Sequence, residues 1–376
     1  MKIFVVPATY NEKENIEKFI TVLEEEVFPK IKNHEMHIIV ADDFSPDGTG
    51  EIVKTLMKKY KNLDISQGEK KGLGAAYMRT MGHAIRELGA DVVVSIDADF
   101  QFDPHDLIKF VEKIDQGYDM VTQTRYSKGG SIPENWPPQR KLFSIVANLF
   151  VRTVFMKFSV HDWTGGFRAI KKDVFLKVSP EMEKYNGYIF QIAFLHKAVA
   201  YGFKIGEVPL HFSDRKLGSS KIAPLGYIID VLTFVMFTRM KELITGPFGK
   251  FLVVGGTGFL IQAVILRIMV GMFNIDPTIS NLSGAVFAIF SNYNLNNFWT
   301  FRNERVKTIG QYVWKLLNFY ATSAVGVILI QTGIIFLGDQ LFGKKYYFVY
   351  FIFGTAILLI YNFTVYRLII WRKKPH

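Results

Sequence analysis

Residues 91–104 read DVVVSIDADFQFDP: an apolar run, two carboxylates one residue apart, and an amide two residues beyond. Three consecutive valines with Ile96 close behind suit a buried strand, where β-branched side chains pack well. Asp97, Asp99 and Gln101 stand where that strand should end. In an extended segment alternate side chains share a side, so the three would present oxygen atoms in one direction. Hard divalent cations such as Mg2+ take oxygen ligands and keep positions open for substrate phosphates. A polar turn, with an Asp capping a helix opened by Pro104, explains the same residues without a ligand. The flanking sequence has to decide.

Short apolar runs recur on both sides: KIFVVP at 2–7, HIIVADD at 37–43 and DMVTQT at 119–124. Between them, 11–27, 50–62, 74–89 and 105–117 space their apolar residues as helices do. Strands alternating with amphipathic helices predict an α/β unit with a mainly parallel sheet and helices on both faces. Ligands of such sheets sit beyond the carboxyl ends of the strands. There the sequence places Tyr10 and Glu12, then Asp42 and Asp43, then Asp97 and Asp99. Helix capping accounts for one or two such carboxylates, Asp47 before Gly48 among them. Three acidic strand ends argue for a shared site.

The chain has 376 residues, 49% of them hydrophobic, a formal net charge of +11 and no cysteine. Its length suggests two or three structural units. The missing cysteines exclude disulfides and thiolate metal sites. The positive charge fits a phosphorylated substrate or an anionic membrane surface. No block of Lys and Arg interleaved with aromatics marks a nucleic-acid stripe, so no nucleic-acid partner is expected. The opening MKIFVVPATYNE has too short an apolar run for a signal peptide and reads as a first strand.

Eight motifs then fall in a familiar order: TYNE at 9–12, ADDFSPDGT at 41–49, KGLGAA at 71–76, DADFQ at 97–101, TRY at 124–126, NW with RK at 135–141, TGGFRAI at 164–170 and RKLGSSK at 215–221. This is the order of family 2 glycosyltransferases. Roughly the first 220 residues resemble a GT-A domain of the polyprenyl-phosphate glycosyltransferase type, above all that of the dolichol-phosphate mannose synthases. The resemblance implies a Rossmann-like domain over 1–221 that binds a nucleotide sugar. GDP-mannose is favoured and UDP-glucose is the alternative, with the sugar passed to dolichyl or polyprenyl phosphate with inversion. It implies Pro7, Tyr10, Glu12 and Asp43 around the base and ribose, with Ala41 contributing backbone. Asp97, Ala98 and Asp99 would form the metal-and-sugar motif, with Asp99 and Gln101 as direct ligands of Mg2+ or Mn2+. Arg125, Gln191, Arg215 and Lys221 would line the diphosphate and acceptor region. Two departures stand out: the Pro-x-Tyr-Asn-Glu start is one residue longer here, Pro7-Ala8-Thr9-Tyr10, and Ala193 stands where relatives often carry an acid.

The chemistry agrees with those residues. A departing diphosphate gathers negative charge in the transition state, and a divalent cation with fixed Arg or Lys groups stabilises it. Arg215 and Lys221, in a Gly- and Ser-containing loop, read as a flap that approaches the phosphates. A phosphate monoester has a second pKa of about 6 and is already largely dianionic at neutral pH. Such an acceptor needs cations to guide it more than a strong base. Arg125 and Arg140 are the candidates to receive it, and Asp162 in HDWTGGFR to orient a group near the sugar.

From about Gly249 onward the composition changes. Four stretches, 250–272, 278–300, 313–338 and 346–370, reach the ~20 apolar residues that a bilayer crossing takes. GGTG at 255–258 lacks the third glycine and the strand-turn-helix setting of a dinucleotide loop; small residues that let helices approach explain it better. Lys250, Arg302, Arg305, Lys307, Lys315, Arg372, Lys373 and Lys374 fall on one side of the predicted spans, with Lys344 and Lys345 discordant. That bias places the catalytic domain in the cytoplasm. In NYNLNNFWTFR, Asn292, Asn294, Asn296 and Asn297 are candidates to bond across helices, and Trp299 to mark the interface. This half, 249–376, resembles GtrA-like four-helix membrane domains. Segments 140–158 and 223–243 pair apolar faces with flanking bases, as helices lying on a membrane do, and 222–248 is expected to be juxtamembrane.

Two other readings are weighed. A processive polysaccharide synthase of related fold should carry a Q-x-x-R-W segment, which the chain lacks. A lipid-translocating protein whose soluble half only binds ligand leaves the intact DADFQ and RKLGSSK unexplained.

Overall fold

The apolar runs of the first half join one seven-stranded sheet in the computed structural model, which describes residues 1–133, 136–185, 187, 189–211, 225–275, 277–306, 308–343 and 347–372. The strands are β1 (Lys2–Thr9), β2 (Glu35–Asp42), β3 (Leu63–Gln67), β4 (Val92–Asp97), β5 (Met120–Thr124), β6 (Arg168–Lys171) and β7 (Ile205–Pro209). Their spatial order is β3-β2-β1-β4-β6-β5-β7. Every pairing is parallel except those of β6, which runs against both β4 and β5. Helices α1 (Ile16–Val22), α2 (Thr49–Leu56), α3 (Leu73–Arg86), α4 (Leu107–Asp115), α5 (Pro138–Phe155), α6 (Lys172–Val178) and α7 (Ile189–Ala200) complete the unit.

The valines of β4 explain the sandwich. Val93 packs with Tyr77, Phe175 and Phe194 on one side of the sheet. Val92 and Val94 pack with Phe19 and Phe110 on the other. A strand covered on both faces needs apolar residues at every position, so the run is continuous rather than alternating. Each such side chain contributes about 1.5–3 kcal/mol of burial.

Register brings the strand ends together. Ala8 of β1 lies opposite Ala41 of β2 on one side and Asp97 of β4 on the other, and Thr9 lies opposite Asp42. The order β2-β1-β4 reverses direction at β1, which is where open α/β sheets leave a crevice. Antiparallel β6 adds a second device. Ser95 pairs with Arg168, so the residues just before β6 arrive at the carboxyl end of β4. The Ser95 hydroxyl donates to the Gly166 carbonyl at 2.7 Å and ties that arrival down.

The chain divides into two compact units, Met1–Phe237 and Thr238–His376, the boundary falling within helix α8 (Leu225–Thr245). In the first unit α5 buries Asn148, Val151 and Phe155 but leaves Leu142, Phe143 and Leu149 more than half exposed. Ile229 and Phe237 of α8 are likewise exposed.

The second unit contains α9 (Pro247–Phe273), α10 (Pro277–Leu295), α11 (Ile309–Val325), α12 (Thr332–Phe342) and α13 (Tyr347–Val365). Among the described residues one helix, α9, is by itself long and apolar enough to cross a bilayer. α10 and α13 end alike. Each continues into a π turn, Asn296–Thr300 and Tyr366–Ile370, and stops at an aromatic residue, Phe301 or Trp371, that is followed by an arginine. Phe301 and Trp371 share nearly the same backbone angles, and their rings stack at 4.7 Å. Around that stack Tyr293, Phe319 and Tyr366 form a buried aromatic core.

Candidate active site

The strand ends open into a cleft of about 570 Å3, with Asp97, Asp99 and Gln101 in its wall together with Tyr10, Glu12 and Asp43. The first three meet there for a reason other than the alternation of an extended segment. β4 ends at Asp97, Phe100 takes a left-handed conformation (φ 58°), and the chain turns. The Gln101 amide donates to Asp99 Oδ1 at 3.1 Å, which closes the turn. Asp99 is 6% exposed. Below, the Tyr77 hydroxyl reaches toward Asp97 Oδ1 at 3.5 Å. Burial, reinforced by the negative charge of Asp97, pushes that phenol well above its usual pKa, so it stays a neutral donor.

The acidic residues divide by task. Asp42 is wholly buried and is committed to structure: its carboxylate accepts from Thr9 and Ser45 hydroxyls, the Ser45 amide and the Gln67 amide group. Asp47 accepts from the Thr49 amide and hydroxyl and from the Lys13 amide, fixing the entrance to α2. Asp43 instead borders the cleft and pairs with Arg79 at 3.1 Å. Near it Lys70 Nζ lies 3.2 Å from the centre of the Tyr10 ring, a cation–π contact at the cleft edge.

Arginines stand in the same cleft. Arg125, just past β5, grips Asp162 with two nitrogens, Nε to Oδ2 at 2.7 Å and an Nη to Oδ1 at 2.9 Å, and reaches Thr164 Oγ1 at 2.7 Å. Burial pulls the Asp162 carboxyl upward, but the Arg125 charge and the hydrogen bonds from Arg125 and Thr164 outweigh it and hold the group below its ordinary range. Arg140, on α5, stacks over Trp136 at 3.8 Å. Arg168, which is not in the cleft lining, is 1% exposed and donates to the Gln191 and Trp163 carbonyls. Burial pushes its guanidinium down to about 9, so it remains cationic at neutral pH.

Gly165 is required by crowding. A Cβ there would collide with the Gln123 side chain, whose Oε1 accepts the Phe167 amide at 3.0 Å.

A family profile described as "Glycosyl transferase family 2" matches residues 4–179. The polyprenol monophosphomannose synthase of Mycolicibacterium smegmatis is 34% identical over 58% of this chain and 80% of its own length. The dolichol-phosphate mannosyltransferase of Pyrococcus furiosus is 32% identical over 90% of this chain and 92% of its own. The chain belongs to the family 2 glycosyltransferases. A second profile, "GtrA/DPMS, transmembrane domain", matches residues 250–371, so this glycosyltransferase is a membrane protein. Among solved structures, glucosyl-3-phosphoglycerate synthase from Mycobacterium tuberculosis, in complex with Mn2+, uridine diphosphate and glucosyl-3-phosphoglycerate, aligns with a TM-score of 0.46 and 19% identity over 63% of this chain and 80% of that one.

Of the residues expected at the site of this glycosyltransferase, Tyr10, Glu12, Asp43, Asp97, Ala98, Asp99, Gln101, Arg125 and Arg140 border the cleft. Pro7 and Ala41 lie in β1 and β2, short of the cleft wall, where Ala8 and Thr9 stand instead. Gln191 is buried behind Gly166, and its Nε2 lacks a hydrogen-bond partner among the described residues. Ala193 packs in the core of α7. Arg215, Lys221 and the rest of RKLGSSK lie outside the described residues, as do Asn135, Lys307, Lys344, Lys345, Lys373 and Lys374. Sequence reading gave no role to Lys70, Gln123, Trp136 and Thr164, although Trp136 and Thr164 stand in its NW and TGGFRAI motifs; all four line the cleft.

Two carboxylates and an amide lining one cleft suit a hard divalent ion, which takes one or two carboxylates and fills its remaining positions with phosphate oxygens and water.

Proposed function

We propose that this glycosyltransferase moves mannose from GDP-mannose to dolichyl or polyprenyl phosphate, with inversion at the anomeric carbon. The observation that carries the proposal is the sharing of one cleft by an oxygen-rich wall, Asp97, Asp99 and Gln101, and by two arginines, Arg125 and Arg140. Asp99 and Gln101 would hold Mg2+ or Mn2+, with Asp97 beside them. When bound, that ion neutralises charge on the departing diphosphate. Tyr10, Glu12 and Asp43 flank the end of the cleft assigned to base and ribose, with Pro7, Ala41 and Ala98 shaping the backbone beneath. Arg125, locked by Asp162, and Arg140, braced on Trp136, hold the acceptor's phosphate so that an oxygen faces the sugar carbon in line with the leaving group. Asp162 acts by aiming Arg125. Gln191 supports the floor, and Arg215 and Lys221 are assigned to the diphosphate by the resemblance of their motif.

The exposed apolar faces of α5 and α8 would rest in the headgroup layer, near the depth of a lipid phosphate. Four spans within 249–376 would anchor the enzyme, with the catalytic domain, 1–221, on the cytoplasmic side and 222–248 along the surface.

The test is a donor screen on membranes holding the enzyme, with prenyl phosphate as acceptor and the product lipid identified by mass. GDP-mannose should give a mannosyl lipid phosphate, and EDTA should stop it. A glucosyl product from UDP-glucose alone reassigns the sugar. Turnover indifferent to EDTA removes the ion.

A further inference from the structure

The second unit has a cavity of its own, about 420 Å3, formed where α9 begins and where α10 and α13 finish their π turns. Lys250, Arg302 and Arg367 contribute three cations to it and Glu304 one carboxylate, a surplus of two positive charges. None of the three cations is held in an ion pair among the described residues. Thr300 also lines the cavity; it is 6% exposed, and its hydroxyl has no hydrogen-bond partner among the described residues. A buried hydroxyl is normally paired, so Thr300 leaves an unmet donor and acceptor in the cavity wall. Trp299 lies on the rim, 44% exposed and 5.8 Å from Lys250 Nζ.

We propose that this cavity receives the phosphate monoester head of a prenyl lipid, in a site made wholly of membrane-unit residues. A monoester carries nearly two negative charges at neutral pH and matches the surplus; a phospholipid diester carries one. Basic pockets between membrane helices recognise anionic headgroups, and half-exposed tryptophans mark their depth. The choice of a prenyl chain rests on the acceptor proposed for the catalytic cleft; the cation pocket does not.

The experiment uses the full-length protein in detergent and farnesyl phosphate with a diazirine on the isoprene unit next to the phosphate. After irradiation, adducts are located by peptide mass spectrometry, and mannosyl transfer to plain farnesyl phosphate is measured on the same preparations. Adducts are expected on the peptides that carry Trp299–Glu304 and Arg367–Trp371. They should fall by well over tenfold in Arg302→Gln/Arg367→Gln, as two charge-assisted contacts are lost. Both side chains are exposed, and an unchanged Tm checks that the fold survives. Asp99→Asn should leave these adducts in place. Plain farnesyl phosphate should compete, whereas farnesol, inorganic phosphate and phosphatidylglycerol should not. Adducts that persist in the double variant overturn the proposal, and so does equal competition by any of those three. Adducts without transfer refute the reaction and leave the pocket standing. Transfer without adducts at these peptides refutes the pocket alone.

Discussion

The two units differ in which polar groups they bury and in how particular ones are held. In the first, the buried carboxylates Asp42 and Asp162 are saturated by nearby donors: Asp42 by two hydroxyls and two amides, Asp162 by a guanidinium, a hydroxyl and backbone amides. In the second, amides lie among aromatic rings with few partners. Asn297 Oδ1 accepts from the Val306 amide and the Trp371 indole, while the buried Asn296 side chain has no partner among the described residues. Saturation makes a rigid frame in which a few groups stay aimed at a ligand. Sparse pairing ties helices together at a few points. Substitutions should therefore behave differently in the two units.

The largest effect belongs to the aimed groups. Asp99→Ala should lower mannosyl transfer by about 10²–10³ or more, the scale of losing one electrostatic contact in a transition state. Thermal unfolding should shift little. Undiminished turnover would remove Asp99 from metal binding; a collapsed Tm would instead make it part of the frame.

Next comes the frame itself. Asp162→Asn removes one half of a buried ion pair whose side chains are 10% (Arg125) and 0% (Asp162) exposed. It should cost about 3–5 kcal/mol, because the buried guanidinium loses the carboxylate that grips it. Arg125→Met/Asp162→Leu should recover most of that stability and no activity. The sign with pH follows from the depressed carboxyl of Asp162. Its contribution is complete above the unfolded carboxylate value of about 4 and fades as pH falls through the lower native one. Urea midpoints of wild type and Asp162→Asn should differ by a constant amount near neutrality and converge in acid. A gap that widens in acid would contradict the assignment.

A smaller effect separates acceptor from donor. Arg140→Gln should raise KM for prenyl phosphate about tenfold, as expected for a hydrogen bond to a charged group. KM for the nucleotide sugar should hold. Equal changes in both would place Arg140 in general cleft architecture.

Sequence made one unit far more legible than the other. β1, β2, β4 and β5 announce themselves by continuous apolar runs, and three of their ends carry the carboxylates that border the cleft. β3 escaped because LDISQ buries only Leu63 fully, and β6 because its four residues begin with Arg168, a buried charge that no hydrophobic pattern anticipates. Missing β6 also hid its consequence. Its antiparallel entry delivers Thr164, Gly165 and Gly166 to the cleft, and Gln123 comes with them through Phe167. The convergence of Asp97, Asp99 and Gln101 was visible, but the means was a turn at Phe100 rather than strand alternation. In the second unit hydropathy reveals apolar length and little else, since lipid-facing and helix-facing residues are both apolar. Asn297 was legible as a cross-helix group; its partner Trp371, 74 residues away, was not.

That pair gives the smallest effect and the closest test of the contrast. Trp371 stacks on Phe301 and donates its indole nitrogen to Asn297 at 3.1 Å. Trp371→Phe keeps a ring against Phe301 but shrinks it, so the donor is read as the coupling energy in a double-mutant cycle with Asn297→Ala. Asn297 retains the Val306 amide, so its oxygen is not orphaned. Hydrogen bonds between membrane helices average about 0.6 kcal/mol by double-mutant cycles, because the unfolded chain in lipid finds partners too. A coupling energy near that value in detergent unfolding, with transfer in the first unit unchanged, fits a pin between helices. A coupling energy of about 3 kcal/mol or more would match the cost of opening a saturated frame, as at Asp162, and the contrast between the units would dissolve.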